Sequence, residues 1–394
     1  MTSLPSSASH PRTSSGVETR WVAQAWLGSR LLVLAFAIVL AARQGAGLGD
    51  VANHWDAELY GRIAVQGYLP EPNLMAFFPG LPLLMRAGLV LGVPTVLTGV
   101  VVATVSSAIA AAALVRLGGR HGHWVAIAWL FAPTAVFTAV PYTEAPFCAA
   151  AFWAWERARA RDWRSAAILA GIAASFRVSG LFLIAALAVL ALTQSSARGT
   201  TPLNPRYLPI SSGLARRLLN LVWLGIPVGV VVAYLGYLYA VTGDPLAWYH
   251  AQQAGWMRSF TWPWQAAINT WDVARPGGYP DHPLWSPVFR FEIVSMVLGL
   301  ITTGWCLGRR RWAEATWVGL QVLAFSISYW FYSVNRATLL WFPLWVMLVE
   351  LAVLRPRRAA ARMAHRTVVV VAAAGTGVTM LWWCWLFFTG NWAS

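Results

Sequence analysis

Acidic residues that could do chemistry lie beside apolar segments of the chain. Asp56 and Glu58 follow the first apolar segment, in HWDAELYGRIAVQGY, and Glu144 lies in PYTEAP between two later ones. A carboxylate at or inside a membrane is costly unless it is paired or functional, and a positioned carboxylate can accept a proton from a reacting hydroxyl. Asp56 is therefore a candidate catalytic base. The structural alternatives are a helix N-cap for Asp56, a first-turn residue favoured by the helix dipole for Glu58, and a Tyr-Thr-Glu hydrogen-bond network for Glu144.

Two arginines interrupt apolar segments. Arg177 lies within the apolar run 166–192, and Arg336 separates two apolar runs in SVNRATLLWFPL. A buried guanidinium without a partner is unfavourable, so each arginine is expected to have an anionic partner. That partner is either an acid such as Glu144 or a bound phosphate, which a guanidinium holds with two parallel hydrogen bonds.

A tryptophan-rich segment, DPLAWYHAQQAGWMRSFTWPWQAAINTW, offers two interpretations. Membrane proteins place tryptophans at the membrane interface, and tryptophan faces can also stack on sugars. His54, His250 and His282 lack the spacing of metal ligands. The sequence contains no P-loop, no G-x-G-x-x-G and no Asp-x-Asp pair. We therefore expect no metal, no cofactor and no visible nucleotide-sugar site.

The composition indicates that membrane helices position these residues. Of the 394 residues, 58% are hydrophobic and 11% are charged, whereas soluble domains carry about 25% charged residues. The net charge is +15, but all 29 basic residues are arginines in short clusters between apolar runs. That pattern is typical of cytoplasmic loops of membrane proteins rather than of a nucleic-acid-binding surface.

The apolar runs predict an all-α polytopic membrane protein with about 11 transmembrane helices. The predicted spans are 21–42, 94–115, 123–140, 145–155, 166–176, 181–192, 218–241, 291–307, 312–333, 338–354 and 368–388. Three of them, 145–155, 166–176 and 181–192, are short for a bilayer. We expect these three to be half-helices that meet at a polar cavity.

The arginines predict the orientation of the chain. Residues 1–18 are expected to form a disordered cytoplasmic tail, and 19–394 a single transmembrane domain. With a cytoplasmic N-terminus, 21 of the 29 arginines, including Arg12, Arg20 and Arg30, and five of the 14 acids fall on the cytoplasmic side. This requires 77–91 to lie in the outer interface, so that 43–93 is a first outer loop with interfacial helices and 242–290 a second. We expect a multi-pass protein of the plasma membrane with its active site facing outside.

Several motifs together resemble a known family. HWDAELYGRIAVQGY, AFFPGLPLL, PYTE and SFRVSG, in this order, resemble the PIG-V-like mannosyltransferases of the GT-C glycosyltransferase superfamily, and GDPLAWYHAQ and SVNRATLLWFPL look similar to later family motifs. The resemblance implies a GT-C-like bundle that transfers a sugar, typically mannose, from a polyprenyl-phosphate donor to an outward-facing lipid-linked or glycan acceptor. The chain departs from the family at Gly80-Leu81, where Leu-Tyr is usual, and at Asn335-Arg336-Ala337, where Pro-Arg-Tyr is usual.

The resemblance also implies roles for individual residues. Asp56 matches the general base. The substrate-binding residues implied are Trp55, Glu58, Tyr60, Phe78, Tyr142, Glu144, Arg177, His250 and Arg336. One base without a second nucleophile favours a single displacement with inversion, by analogy with glycoside hydrolases.

Two other function classes fit part of the pattern. A transporter or flippase of lipid-linked glycans also places arginines and acids between half-helices, but its inverted repeat is not found here. A non-catalytic membrane subunit of a glycosyltransferase complex would not need the Trp-Asp and Tyr-Thr-Glu motifs.

Overall fold

The protein is helical throughout the part that the structure describes. The structure is a computed structural model and describes residues 14–69, 71–194 and 213–393. The α-helices are α1 (Ser14–Gln44), α2 (Leu48–Val51), α3 (Asp56–Gln66), α4 (Gly80–Val90), α5 (Thr95–Leu117), α6 (Gly122–Leu130), α7 (Glu144–Arg159), α8 (Trp163–Phe176), α9 (Ser179–Thr193), α10 (Gly213–Trp223), α11 (Gly225–Thr242), α12 (Ala247–Trp256), α13 (Pro263–Ala274), α14 (Trp285–Gly308), α15 (Trp312–Ser326), α16 (Val334–Ala337), α17 (Phe342–Ala352) and α18 (Ala359–Phe388). Short 3₁₀ helices cover Pro72–Ala76, Gly119–His121, Ala135–Thr138 and Thr338–Leu340.

The prediction of an all-α polytopic membrane protein is confirmed. Within the described ranges, five helical segments are long and apolar enough to cross a membrane: Glu18–Gln44, Thr95–Leu117, Arg217–Thr242, Trp285–Gly308 and Ala359–Phe388. A sixth arises if Val334–Leu340 and Phe342–Ala352, bent by 77°, count as one span. The predicted number of about 11 transmembrane helices also includes shorter segments, several of which form short apolar helices. That number stays a prediction.

The predicted span 123–140 is wrong, because its helix is broken. α6 ends at Leu130, and the chain passes through Pro133 into the 3₁₀ turn Ala135–Thr138. Proline lacks the N–H that an α-helix requires, and its ring clashes with the preceding turn. The span predicted over 312–333 is also too long, because α15 ends at Ser326.

Two assignments near the N-terminus differ from the sequence prediction. α1 begins at Ser14, inside the segment 1–18 for which the sequence predicts disorder. The carboxylate of Glu18 lies 3.9 Å from Nδ1 of His123, and this contact ties the first turns of α1 to α6. Residues 1–13 lie outside the described residues. Arg30 is not in a cytoplasmic loop but lies buried in α1, where its Nη1 donates to the carbonyl and hydroxyl oxygens of Thr138 at 2.7 and 2.8 Å. The broken span explains this contact, since it leaves that carbonyl at the end of a 3₁₀ turn.

The segment 43–93 contains α2, α3, a 3₁₀ turn and α4. α4 packs on α3, α5 and α8 along one face, while Leu83 and Val90 on the other are exposed. An amphipathic helix of this kind suits a membrane interface, and its position in the interface stays a prediction. α7 packs mainly on α5 and α8, and α9 packs on α15. α7 lies inside the bundle, whereas α8 and α9 each have one exposed side, at Ile168 and at Leu181.

Candidate active site

Asp56 and Arg336 form a buried ion pair. Asp56 is the first residue of α3, and its Oδ2 accepts a hydrogen bond from Nη1 of Arg336 at 2.7 Å. The two side chains are only 15% and 10% exposed, respectively. Trp55 occupies the N-cap position, with φ of 58°, and no side chain caps the helix. The N-cap alternative for Asp56 is therefore wrong: the carboxylate instead joins α3 to a residue 280 positions away.

The loop that carries Arg336 is held from α14. Glu292 is buried there, and its two carboxylate oxygens accept hydrogen bonds from the backbone N–H groups of Ser333 and Asn335, each at 3.0 Å. The guanidinium of Arg336 lies 5.2 Å from the ring centre of Tyr142. Its Nε lies 3.5 Å from Oε1 of Glu144. Arg336 is thus placed between two carboxylates.

Arg177 is held by the second acid. It lies between α8 and α9, and its Nη1 donates to Oε1 of Glu144 at 2.6 Å and to the Thr143 hydroxyl at 2.9 Å. Glu144 begins α7 and has no exposed surface. A Cβ at Gly180 would lie 2.5 Å from the Cα of Ala174, so the close approach of α8 and α9 beside Arg177 requires glycine. Both arginines therefore have an acid as partner, which is one of the two alternatives predicted from the sequence.

Tyr60 and Tyr142 connect α3 to the start of α7. The Tyr60 hydroxyl lies 3.2 Å from that of Thr143, and the Tyr142 hydroxyl accepts a hydrogen bond from the Asp56 N–H at 3.3 Å. Burial raises the pKa of the Tyr60 hydroxyl well above its usual value, so this residue acts as a neutral hydrogen-bonding group. The Tyr-Thr-Glu network predicted from PYTE is present only in part. Thr143 and Glu144 share Arg177, whereas the Tyr142 hydroxyl bonds to the backbone of Asp56 and His54.

A large cavity of about 480 Å³ opens on one side of the Asp56–Arg336 pair. Its charged lining residues are Asp56, Arg177, Arg258 and Arg336. Its aromatic lining residues are Tyr60, Phe77, Phe78, Phe176, Phe182, Trp248, Tyr249, Trp256, Phe260 and Phe325. Phe260 is 61% exposed, so the cavity reaches the protein surface at that residue. The ends of α7, α8 and α9 meet here, at Thr143, Phe176 and Ser179.

A small cavity of about 350 Å³ lies on the other side of the pair. It shares Asp56, Trp256, Ser333 and Arg336 with the large cavity. Its other lining residues are Trp55, Glu58, Leu59, Asn73, Phe137, Tyr142, Gly255, Tyr332, Trp392 and Ala393. Glu58 also pairs with Arg62 at 2.5 Å, four residues along α3. Asp56 is therefore accessible from two separate spaces.

Besides Glu144, His250 is the predicted site residue that lines neither cavity. Its Nδ1 lies 2.7 Å from Oδ2 of Asp244, and both side chains are well exposed. Only some of the tryptophans in the tryptophan-rich segment line a cavity. Trp248 and Trp256 line the large cavity, whereas Trp262 and Trp264 stack on each other at 5.0 Å and are exposed. Within the described ranges, no group of three or more His, Cys, Asp or Glu side chains is placed to hold a metal ion.

Comparison with known proteins finds mannosyltransferases. GPI alpha-1,6-mannosyltransferase 2 of Homo sapiens is 31% identical over 215 residues, which cover 50% of this chain and 43% of the human protein. The proteins of the same name from Rattus norvegicus and Mus musculus are each 34% identical, over 33% and 34% of this chain and 29% and 30% of their own lengths. The chain is similar to GPI mannosyltransferases. The matched part spans less than half of these relatives, and no protein-family model matches the chain.

Sequence reasoning missed two charged residues of the site. Glu292 lies near the start of the predicted span 291–307, where an acid is costly unless it has a partner, and that cost was the available signal. Arg258 lies in the tryptophan-rich segment and lines the large cavity. Nothing local distinguishes it from an exposed loop arginine.

Proposed function

We propose that this protein is an inverting glycosyltransferase that transfers mannose from a polyprenyl-phosphate donor to a lipid-linked or glycan acceptor. The observation that carries the proposal is a carboxylate, Asp56, that faces two cavities and is oriented by a buried arginine. Similarity to GPI mannosyltransferases supports the reaction class and the sugar.

The large cavity has the properties that the donor requires. It combines arginines for the phosphate with an aromatic lining for the sugar and the first prenyl units. A prenyl chain must leave the cavity through an apolar opening. Phe260 lines the cavity and is exposed, and the neighbouring Trp262 and Trp264 are exposed as well. We therefore assign the donor to this cavity, with its lipid tail leaving at Phe260.

The small cavity is assigned to the acceptor. Trp55, Trp256 and Trp392 give it broad aromatic faces, and Glu58 and Asn73 give it polar groups. Because Asp56 borders both cavities, an acceptor hydroxyl there can approach the donor sugar while it contacts the carboxylate. Burial raises the pKa of Tyr332 to about 12, so its hydroxyl is a neutral hydrogen-bonding group for a sugar.

The reaction follows from this arrangement. The acceptor hydroxyl oxygen forms a bond to C1 of the mannose while the C1–O bond to the phosphate breaks, and the polyprenyl phosphate leaves with the electron pair. Asp56 accepts the hydroxyl proton. Its Oδ2 is held by Arg336, whereas its Oδ1 has no hydrogen-bond partner within the described ranges. Asp56 lines both cavities, whereas Glu58 lines only the small cavity and pairs with Arg62, and Glu144 lines neither. Asp56 is therefore the carboxylate assigned to the reacting atoms, and a single displacement without a second nucleophile inverts the anomeric carbon.

The proposal places the protein in the plasma membrane, with a cytoplasmic N-terminus and an outward-facing site. The excess of arginines in the loops of one side supports this orientation. Arg30 is not among these loop arginines, because it is buried in α1. Cysteines introduced at the exposed positions Gln66 and Pro280 should react with an impermeant thiol reagent in intact cells, and one at the exposed Arg310 should not. The native cysteines are buried and should give little background. Labelling of Arg310→Cys in intact cells would reverse the orientation.

The decisive test is direct transfer. Purified full-length protein would be incubated with polyprenyl-phosphate mannose and candidate lipid acceptors, and the products analysed by mass spectrometry. We expect a mannosylated acceptor together with free polyprenyl phosphate. Movement of a lipid-linked glycan across a vesicle membrane without a new glycosidic bond would instead support the flippase alternative.

A further inference from the structure

Arg258 differs from the other arginines of the large cavity in having no acid partner. It follows α12, where Met257 adopts a left-handed conformation with φ of 50°. No carboxylate lies within 4.0 Å of its guanidinium in the described ranges, and its buried Nε has no hydrogen-bond partner. The guanidinium contacts the ring of Phe325, whose centre lies 5.8 Å from Cζ of Arg258. Arg177 and Arg336, in contrast, are each within 2.7 Å of a carboxylate oxygen.

The charges around the large cavity do not balance without a ligand. Arg177, Arg258 and Arg336 line it, and the two acids in contact with this set are Asp56 and Glu144. One positive charge is left without an acid partner. Burial is the main cause that lowers the pKa of Arg258 to about 10; Tyr332 and Asp56 oppose this shift, and repulsion from Arg336 and Arg177 adds to it. A cation that is partly removed from water and lies near like charges is stabilised by a bound anion.

We propose that Arg258 binds the phosphate of the isoprenoid lipid in the large cavity. This inference rests on the proposed function and identifies the residue that receives the leaving group. Arg258 lies two residues before Phe260, where the cavity reaches the surface, and it lines the same cavity as Asp56. A phosphate at Arg258 would therefore have its lipid tail directed to the opening and its sugar directed to the base. As the C1–O bond breaks, charge develops on the phosphate, and the guanidinium stabilises it.

The same contacts assign a different role to Arg177 and Arg336. Each has hydrogen bonds to a carboxylate, so they position Glu144 and Asp56. Arg258 has donors that are not used by the protein. A planar guanidinium can hold a phosphate with two parallel hydrogen bonds, which an ammonium group cannot do.

Binding of polyprenyl phosphate to the full-length protein in nanodiscs tests the inference without turnover. The probes are polyprenyl phosphate, the matching uncharged polyprenol and inorganic phosphate, each measured by native mass spectrometry and by competition. We expect Arg258→Gln to weaken binding of polyprenyl phosphate by about 10- to 100-fold. The affinity of Arg258→Lys should lie between that of the wild type and that of Arg258→Gln. Polyprenol binding should not change, and inorganic phosphate alone should bind weakly because it lacks the tail. The melting temperature should change little, since within the described ranges Arg258 has no ion pair and its side chain loses only the contact with Phe325.

A matched control is available at the end of α13. Arg275 is exposed and pairs with Asp272, so Arg275→Gln removes the same charge away from the cavity and should bind polyprenyl phosphate as the wild type does. If Arg258→Gln binds polyprenyl phosphate normally while the wild type prefers it to polyprenol, the role of Arg258 is overturned and the proposed function stands. If the wild type does not distinguish polyprenyl phosphate from polyprenol, the inference falls together with the proposed donor. A lower melting temperature with unchanged binding would make Arg258 a structural residue.

Discussion

The two ends of α7 carry the same kinds of charged residues in different surroundings. Glu144 lies in the first turn and Glu156 near the last, about 18 Å apart along the helix axis. At the first end, Glu144 is fully buried and pairs with Arg177, which is 17% exposed. At the other end, Glu156 pairs with Arg157 and with Arg116, which is 56% exposed.

The difference separates ion pairs that position a site from ion pairs that lie at a surface. Charges removed from water are costly, and a buried pair is maintained only where the surrounding structure fixes it. At the first end, Thr143 and the turn at Gly180 provide that support next to the cavities. At the other end, Glu156 is only 12% exposed, but its partners Arg116 and Arg157 are 56% and 30% exposed, so water screens the pairs and they contribute less to stability. Substitutions at the two ends should therefore have very different effects.

The largest effect is expected at Asp56. Asp56→Asn keeps the shape of the side chain but removes the proton acceptor, so transfer of mannose should fall by about 10²- to 10⁴-fold. Stability in detergent should fall less than in a variant that leaves an arginine without any acid, because Nε of Arg336 keeps Oε1 of Glu144 at 3.5 Å. The assay is the rate of transfer measured by mass spectrometry. Asp162→Asn, at the N-cap of α8 beside the other end of α7, makes the same chemical change and should leave the rate unchanged because asparagine also caps helices. Turnover like that of the wild type in Asp56→Asn would remove the catalytic role.

The second effect compares the two glutamates of α7 directly. Glu144→Gln leaves the buried Arg177 without its charge partner, and breaking a buried pair costs about 3–5 kcal/mol. Glu156→Gln, which affects partly exposed pairs, should cost about 1 kcal/mol or less. Thermal and denaturant unfolding in detergent would measure both. Equal losses at the two positions would contradict the distinction between the ends of the helix.

A smaller effect separates the two arginines that hold acids. Arg336 reaches Asp56 through Nη1 and lies 3.5 Å from Glu144 through Nε, so a lysine cannot maintain both contacts. Arg177 uses a single nitrogen for Glu144 and Thr143, which an ammonium group can imitate. We expect Arg336→Lys to lower the transfer rate about tenfold, the loss of roughly one charge-assisted hydrogen bond, and Arg177→Lys to lower it much less. The reverse order would mean that Arg177 contacts the substrate and not only Glu144.

Local sequence features were enough to predict much of the fold. Long apolar runs identified α1, α5, α14 and α18, because each helix satisfies its own backbone hydrogen bonds and its composition alone decides whether it suits lipid. The break at Arg177 was also visible, since a charge interrupts an apolar run there. The broken span after α6 was missed, although Pro133 was a local signal. Arg30 was assigned to a loop because its buried partner, the carbonyl of Thr138, is 108 residues away.

The sequence by itself determined which residue types were available for the site: an acid after the first span, an acid at the start of α7 and two arginines in apolar surroundings. Only the tertiary structure decided how they pair. Asp56 meets Arg336 rather than capping its own helix, and Glu292 supports the loop from a third helix. Within the described ranges no acid lies within 4.0 Å of the Arg258 guanidinium, whereas Glu144 and Asp56 contact Arg177 and Arg336. The reason is physical: a charge pair forms over about 3 Å, and the packing of helices far apart in the chain determines which charges come that close.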